Sequence, residues 1–202
     1  MFNRIRSYFR KKRAIAEALR CQGWTSMQKL SLLHDLASQT DSLNGDILEI
    51  GSAWGRSAVL LGHASGKRIW SIDPHTGGRA FIERGEKQNS FDIFKENLAK
   101  NKLDNRVKIL KHTTAEVMEK GLLPATQKFS FIFIDGLHSA EGVELDFKLA
   151  FERLVPNGIM AFDDYAEESI PDYTEMIDAL MLMHKLTLIK DAASGLVYFR
   201  KT

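Results

Sequence analysis

Three acidic residues stand where short apolar runs end: Asp135, and the adjacent pair Asp163 and Asp164. If the two runs are neighbouring strands, the three carboxylates converge. Such a group is costly unless it is solvated, paired or bound to a cation. Oxygen ligands at this density suit magnesium, with water and substrate hydroxyls completing the shell. His138 follows Asp135 by three residues, within reach of a substrate hydroxyl as a general base. His34, His63, His112 and His184 have no comparable acidic company, and His75, after Asp73 and Pro74, is placed to line the mouth of a nearby site.

A second constellation is the segment EIGSAWG, residues 49–55. Gly51 permits a sharp turn from strand to helix, and Gly55 lets the helix start lie close to strand and ligand, because neither carries a Cβ. Amides at the start of that helix suit an anionic cofactor group, and Ser57 adds a hydroxyl in its first turn. Asp73 lies about 20 residues on, where an acidic side chain accepts both hydroxyls of a ribose. Thr113 and Thr114 follow the third expected strand and border the base, or cap the next helix. The spacing is not G-x-G-x-x-G, so the dinucleotide fingerprint is absent.

Positioning these residues requires strands at 46–51, 68–73, 107–111, 129–135 and 158–163, separated by helices near 56–63, 90–100, 114–120 and 140–154. That alternation predicts an α/β fold, a mostly parallel sheet with helices on both faces. After a helix near 173–183, strands at 185–190 and 196–200 are separated by Asp191, Ala192, Ala193, Ser194 and Gly195. Five residues cannot hold a crossover helix, so these strands must form an antiparallel hairpin, completing seven. Ahead of the sheet, apolar positions Phe2, Ile5, Phe9, Ala16 and Leu19 recur at helical spacing among basic residues, and a second helix spans about 25–38 with Thr25 or Ser26 as its cap. The expected division is a helical addition over 1–40 and one cofactor-binding domain over 41–202.

Of the 28 Lys and Arg, six precede the first acidic residue, leaving 22 against 26 Asp and Glu. The body is therefore mildly acidic and is not expected to bind nucleic acid. No apolar run approaches the roughly 20 residues of a membrane span. The basic start lacks the pattern of a secretory signal, and the lone Cys21 cannot close an intrachain disulfide, so a cytoplasmic location is expected. A basic amphipathic helix needs a covering surface: its own domain, a second subunit, or an anionic membrane. Packing within protein ranks first, with a homodimer ahead of weak membrane contact.

Together, EIGSAWGRSAVLL, IDPHTGG, FIFIDGLHSAEGVELDF and LVPNGIMAFDDY resemble the class I S-adenosylmethionine-dependent methyltransferases of the macrocin O-methyltransferase and cephalosporin hydroxylase-like family, and more distantly catechol O-methyltransferase. The resemblance runs from about Trp24 to the C-terminus. It implies a Rossmann-like seven-stranded fold, for which the terminal antiparallel hairpin is the usual ending. It implies that Glu49, Gly51, Ser52, Ala53, Gly55 and Ser57 surround the methionine part of S-adenosylmethionine, that Asp73 binds the ribose and that Thr114 lies on the adenine side. Asp135 borders the cofactor and, with Asp163 and Asp164, holds magnesium. His138 falls where the catechol enzymes place a lysine base, so His138 or Asp135 deprotonates the acceptor. Leu137 and Ala140 depart from the D-G-D-H-x-Y pattern that related sequences often carry.

The implied reaction is methylation of a hydroxyl on a small-molecule acceptor, a sugar, glycolipid or natural-product intermediate. The competing reading is a nicotinamide-dependent oxidoreductase, which the glycine spacing and the hairpin disfavour. A metal-dependent oxygenase would need a second histidine at the site, and a non-catalytic binding module would not require Asp135, His138 and Asp163.

Overall fold

The computed structural model describes residues 2–77, 90–191 and 194–202, with side chains from Ile5 onward. Gly78 of the IDPHTGG motif, Ala192 and Ala193 of the hairpin loop, and the side chain of Phe2 lie outside the described residues. The described helices are α1 (Phe2–Arg20), α2 (Met27–Gln39), α3 (Arg56–Ala64), α4 (Ser90–Lys100), α5 (Thr114–Glu119), α6 (Ala140–Phe151) and α7 (Pro171–Met183). The strands are β1 (Asp46–Ile50), β2 (Ile69–Ile72), β3 (Val107–Leu110), β4 (Phe129–Ile134), β5 (Leu154–Phe162), β6 (Ile189–Asp191) and β7 (Leu196–Arg200).

The strands form one sheet in the order β3-β2-β1-β4-β5-β7-β6. The first five run parallel, and β7 is antiparallel to both β5 and β6. This is the seven-stranded α/β architecture that the sequence predicts, hairpin included. Alternation along each strand sends successive side chains to opposite faces. Ile47, Ile69, Phe131, Phe133 and Ile159 pack with Ala14, Ala18, Leu30, Leu33, Ala58 and Phe94 from α1 to α4. Leu48, Trp70, Ile132, Ile134 and Met160 pack with Val117, Val143, Phe147 and Ile177 from α5 to α7. Because both faces are covered, β4 reads FSFIFI and is buried throughout. Each fully buried Phe or Ile contributes about 1.5–3 kcal/mol of transfer free energy.

Three element boundaries differ from the expected ones. β5 begins at Leu154 rather than near residue 158, and α6 correspondingly stops at Phe151. Pro156 and Asn157 fall between the expected helix and strand, and Asn157 adopts φ +62°. They form an irregularity inside the strand, because pairing resumes at Phe131↔Ile159 after Phe129↔Leu154. β6 covers Ile189–Asp191, and Lys185, at the expected start of the strand, takes a left-handed φ of +53°.

The second half of α1 packs against its own domain through Ala14 and Ala18, and Arg10 donates to the carbonyls of His63 and Ala64 at the end of α3. Ile5, Tyr8 and Phe9 are exposed. Among the described residues no helix is long and apolar enough to cross a membrane.

Candidate active site

The strand order reverses direction between β1 and β4, and the crevice beyond their carboxyl ends is where open α/β sheets bind ligands. A cavity of about 760 Å³ opens there, bounded by the turn after β1, the ends of β2, β4 and β5, and the segment joining α1 to α2.

The turn after β1 is set by glycine in the strict sense. Gly51 has φ +84°, and a Cβ there would lie 1.9 Å from the carbonyl oxygen of Asp135. Gly55 has φ +92°, and its Cβ would lie 2.7 Å from Phe94. Gly55, at the N-cap of α3, offers no side-chain acceptor to the first-turn amides. Ser52, Ala53 and Ser57 line the cavity as expected.

Asp73 also lines it, but three of its contacts are internal. Its Oδ2 accepts the amides of Ser52 and Ala53 at 2.8 Å each, and its Oδ1 accepts the amide of His75 at 2.6 Å. A carboxylate has about four acceptor sites, so Asp73 both braces the glycine turn and retains capacity for a ribose hydroxyl. His75 itself is buried between Phe91 and Phe94 instead of at the mouth.

Glu49 departs from its expected place around the cofactor. It is fully buried beneath the turn and does not border the cavity. The Ser52 hydroxyl donates to its Oε2 at 2.5 Å. Burial pushes the Glu49 carboxyl up to about 7, against the pull of the Ser52 and Ser57 hydroxyls. Thr114 borders the cavity, but its hydroxyl donates to Asp146 on α6 at 2.5 Å. Asp146 is a cavity residue that sequence reasoning missed, its carboxyl raised to about 6 by burial against the Thr114 bond. A lone acid inside an amphipathic helix carried no signal beyond its interruption of the apolar face.

At the ends of β4 and β5, Asp135, His138 and Asp164 come together, with one ligand atom of each within 4.8 Å of the others. His138 Nε2 lies 3.3 Å from Asp135 Oδ1, and its Nδ1 lies 3.6 Å from Asp164 Oδ2. Desolvation raises the Asp135 carboxyl to about 7, with the charges of Asp163 and Asp164 adding to the rise and His138 opposing it. Burial disfavours charge on His138, yet the bond to Asp135 and the surrounding carboxylates outweigh it and raise its pKa.

Asp163 does not join this trio, contrary to the set of Asp135, Asp163 and Asp164 expected for a metal. Its carboxylate is paired with the ammonium of Lys29 from α2, which also reaches Asp164 Oδ1 at 2.7 Å. Lys29 went unnoticed in the sequence because nothing local ties a surface-type lysine to carboxylates some 135 positions away. Arg56 was missed for the same reason. Its guanidinium donates to the carbonyls of Cys21 and Thr25 at 3.0 Å, fastening the α1–α2 connection to the start of α3.

The donor set at Asp135, His138 and Asp164 fits a divalent cation. Two carboxylates and an imidazole each offer one ligand atom there, and the Asp135 carboxyl is raised first by desolvation and further by the charges of Asp163 and Asp164.

Residues 48–165 match the family described as methyltransferase domain. No curated protein matches the sequence. Among solved structures, the O-methyltransferase NovP is similar at a TM-score of 0.75 and 17% identity, covering 89% of this chain and 83% of that one. An O-methyltransferase from Bacillus cereus in complex with S-adenosylhomocysteine (SAH) is similar at 0.67 and 17% identity, with coverage of 93% and 90%. TomG from Streptomyces achromogenes, an O-methyltransferase involved in tomaymycin synthesis and solved with S-adenosylmethionine (SAM), is similar at 0.63 and 18% identity, with coverage of 89% and 82%. At these identities the likeness shows the fold.

Proposed function

The chain belongs to the methyltransferase-domain family, and from that premise we propose that it is a SAM-dependent O-methyltransferase acting on a hydroxyl of a small molecule. The observation that carries this reading is the junction of two half-sites at Gly51. The turn that would hold the cofactor abuts the backbone of Asp135, which stands beside His138 and Asp164.

SAM, when bound, supplies an electrophilic sulfonium methyl. The chain's residues divide the remaining tasks. Asp73 accepts a ribose hydroxyl while bracing Ser52 and Ala53, and the first turn of α3, which has no side-chain cap from Gly55, offers amides to the methionine carboxylate. Thr114, with Asp146 behind it, borders the adenine side. Glu49 fixes the turn from below through Ser52. His138, oriented by Asp135 and Asp164, takes the proton of the acceptor hydroxyl as the methyl is transferred. Magnesium favours oxygen ligands, so Asp135 and Asp164 would hold it and leave the imidazole as base. It would supply Lewis acidity at the hydroxyl. The 1–40 helical addition forms one wall of the same site, since Trp24, Thr25 and Lys29 line the cavity. The likeness to TomG, which is involved in tomaymycin synthesis, supports a natural-product acceptor, with a sugar or glycolipid hydroxyl as the other candidate of this reading, and the homodimer remains part of it.

Calorimetry with SAH and with a nicotinamide dinucleotide tests the cofactor, and labelled SAM with a panel of hydroxylated acceptors, with and without chelator, tests the reaction. SAH binding with label transferred to an acceptor oxygen is the expected result. Tight dinucleotide binding without SAH binding would overturn it.

A further inference from the structure

Lys29 belongs to the first turn of α2, whose start is fixed by Ser26: the Ser26 hydroxyl accepts the Lys29 amide at 3.2 Å. The buried Leu30 and Leu33 anchor the helix to the core. The ammonium is therefore delivered to the site by a rigid element. It contacts Asp163 and Asp164 together, and its side chain is 17% exposed against 5% for Asp163 and 33% for Asp164. Asp163 is further committed through the Asp164 amide, which donates to Asp163 Oδ1 at 2.8 Å. The same Oδ1 meets Lys29. One positive charge thus stands on the pair of carboxylates at the end of β5, of which Asp164 belongs to the group suited to a divalent cation.

We infer that Lys29 is a tethered cation competing with the divalent ion for the carboxylates of the reaction site, so that metal loading requires Lys29 to withdraw and loosens the first turn of α2. The inference rests on the reading that Asp135 and Asp164 hold a metal. Two cations sharing the Asp164 carboxylate repel each other, and a carboxylate released by Lys29 becomes available to the metal. Because α2 and the connection before it wall the cavity, metal occupancy and the shape of the acceptor side are then linked.

The test uses the full-length protein and Mn²⁺ as the probe, read by loss of the free-ion paramagnetic resonance signal. Lys29→Met should bind Mn²⁺ at least about tenfold more tightly than wild type, since it removes a like charge and frees an acceptor. Equal or weaker binding by the folded variant, or no binding by either protein, would overturn the proposal. Removing Lys29 leaves Asp163 buried without its partner, which can unfold a protein, so a second measurement uses wild type alone. Saturating Mn²⁺ should speed amide hydrogen exchange in residues 27–33, and metal binding that leaves this exchange unchanged also overturns the proposal. SAH calorimetry on the same samples reports separately on the methyltransferase reading. Absent SAH binding counts against that reading, whereas the Mn²⁺ comparison decides the role of Lys29.

Discussion

Gly51→Ala should damage the cofactor turn and the reaction site together. At φ +84° an alanine pays about 1–2 kcal/mol for the left-handed backbone. Its Cβ would also meet the Asp135 carbonyl oxygen at 1.9 Å and its carbonyl carbon at 2.5 Å, both backbone atoms. Reaching even 3.0 Å from that oxygen moves the ends of β1 and β4 apart by more than an ångström. Two sheet hydrogen bonds hold the end of β1, Asp135 N–H to the Ile50 carbonyl at 2.8 Å on the β4 side and Gly51 N–H to the Ile72 carbonyl at 2.9 Å on the β2 side. Losing both costs about 2 kcal/mol more at a net ~1 kcal/mol each. The total of roughly 3–4 kcal/mol predicts a fall in melting temperature of about 6–16 °C for a chain of this size. SAH binding should weaken with it, because Ser52 and Ala53 move relative to Asp73. Gly66→Ala is the control, since a Cβ there has nothing within 4 Å. Differential scanning calorimetry and SAH titration on both variants check this. A Gly51→Ala protein that melts within about 2 °C of wild type and binds SAH equally well would refute the argument.

Asp73→Asn replaces an acceptor of three backbone amides with a group that carries a donor of its own. Titration calorimetry should show SAH binding about ten- to a hundredfold weaker, and unchanged affinity would remove Asp73 from the ribose site. His138→Gln should lower kcat by about 10²–10⁴ with SAH affinity retained; initial-rate kinetics near wild type would exclude the imidazole as base. Glu49 has a folded-state pKa raised from 4.5 to about 7, so the folded protein binds its proton more tightly than the unfolded chain does. That contribution is complete below the unfolded value and is lost as pH rises through about 7, an upper bound of about 3 kcal/mol. Glu49→Gln should flatten the fall in stability between pH 4.5 and 7, and urea denaturation of both proteins across that range with equal slopes would contradict this.

The sequence alone determined the alternation of strands and helices, the hairpin, the glycine turn and the acidic strand ends, because periodicity, short loop length and backbone freedom are properties of local segments. Residues 154–158 misled that reading, since proline and a left-handed asparagine look alike in a turn and in a strand irregularity. Tertiary structure decided which side chains face one another. Glu49 and Ser57 carry equal promise beside a glycine turn, yet only the fold puts Glu49 under the sheet's end and Ser57 in the cavity wall. The Asp163–Asp164 pair was visible, but its partner Lys29 comes from a helix far earlier in the chain. The pairing of Thr114 with Asp146 likewise depends on how α5 and α6 lie together. Charge pairing across the fold depends on distances in space that no spacing in sequence encodes, so the candidate site's positions were legible and its electrostatic partners were not.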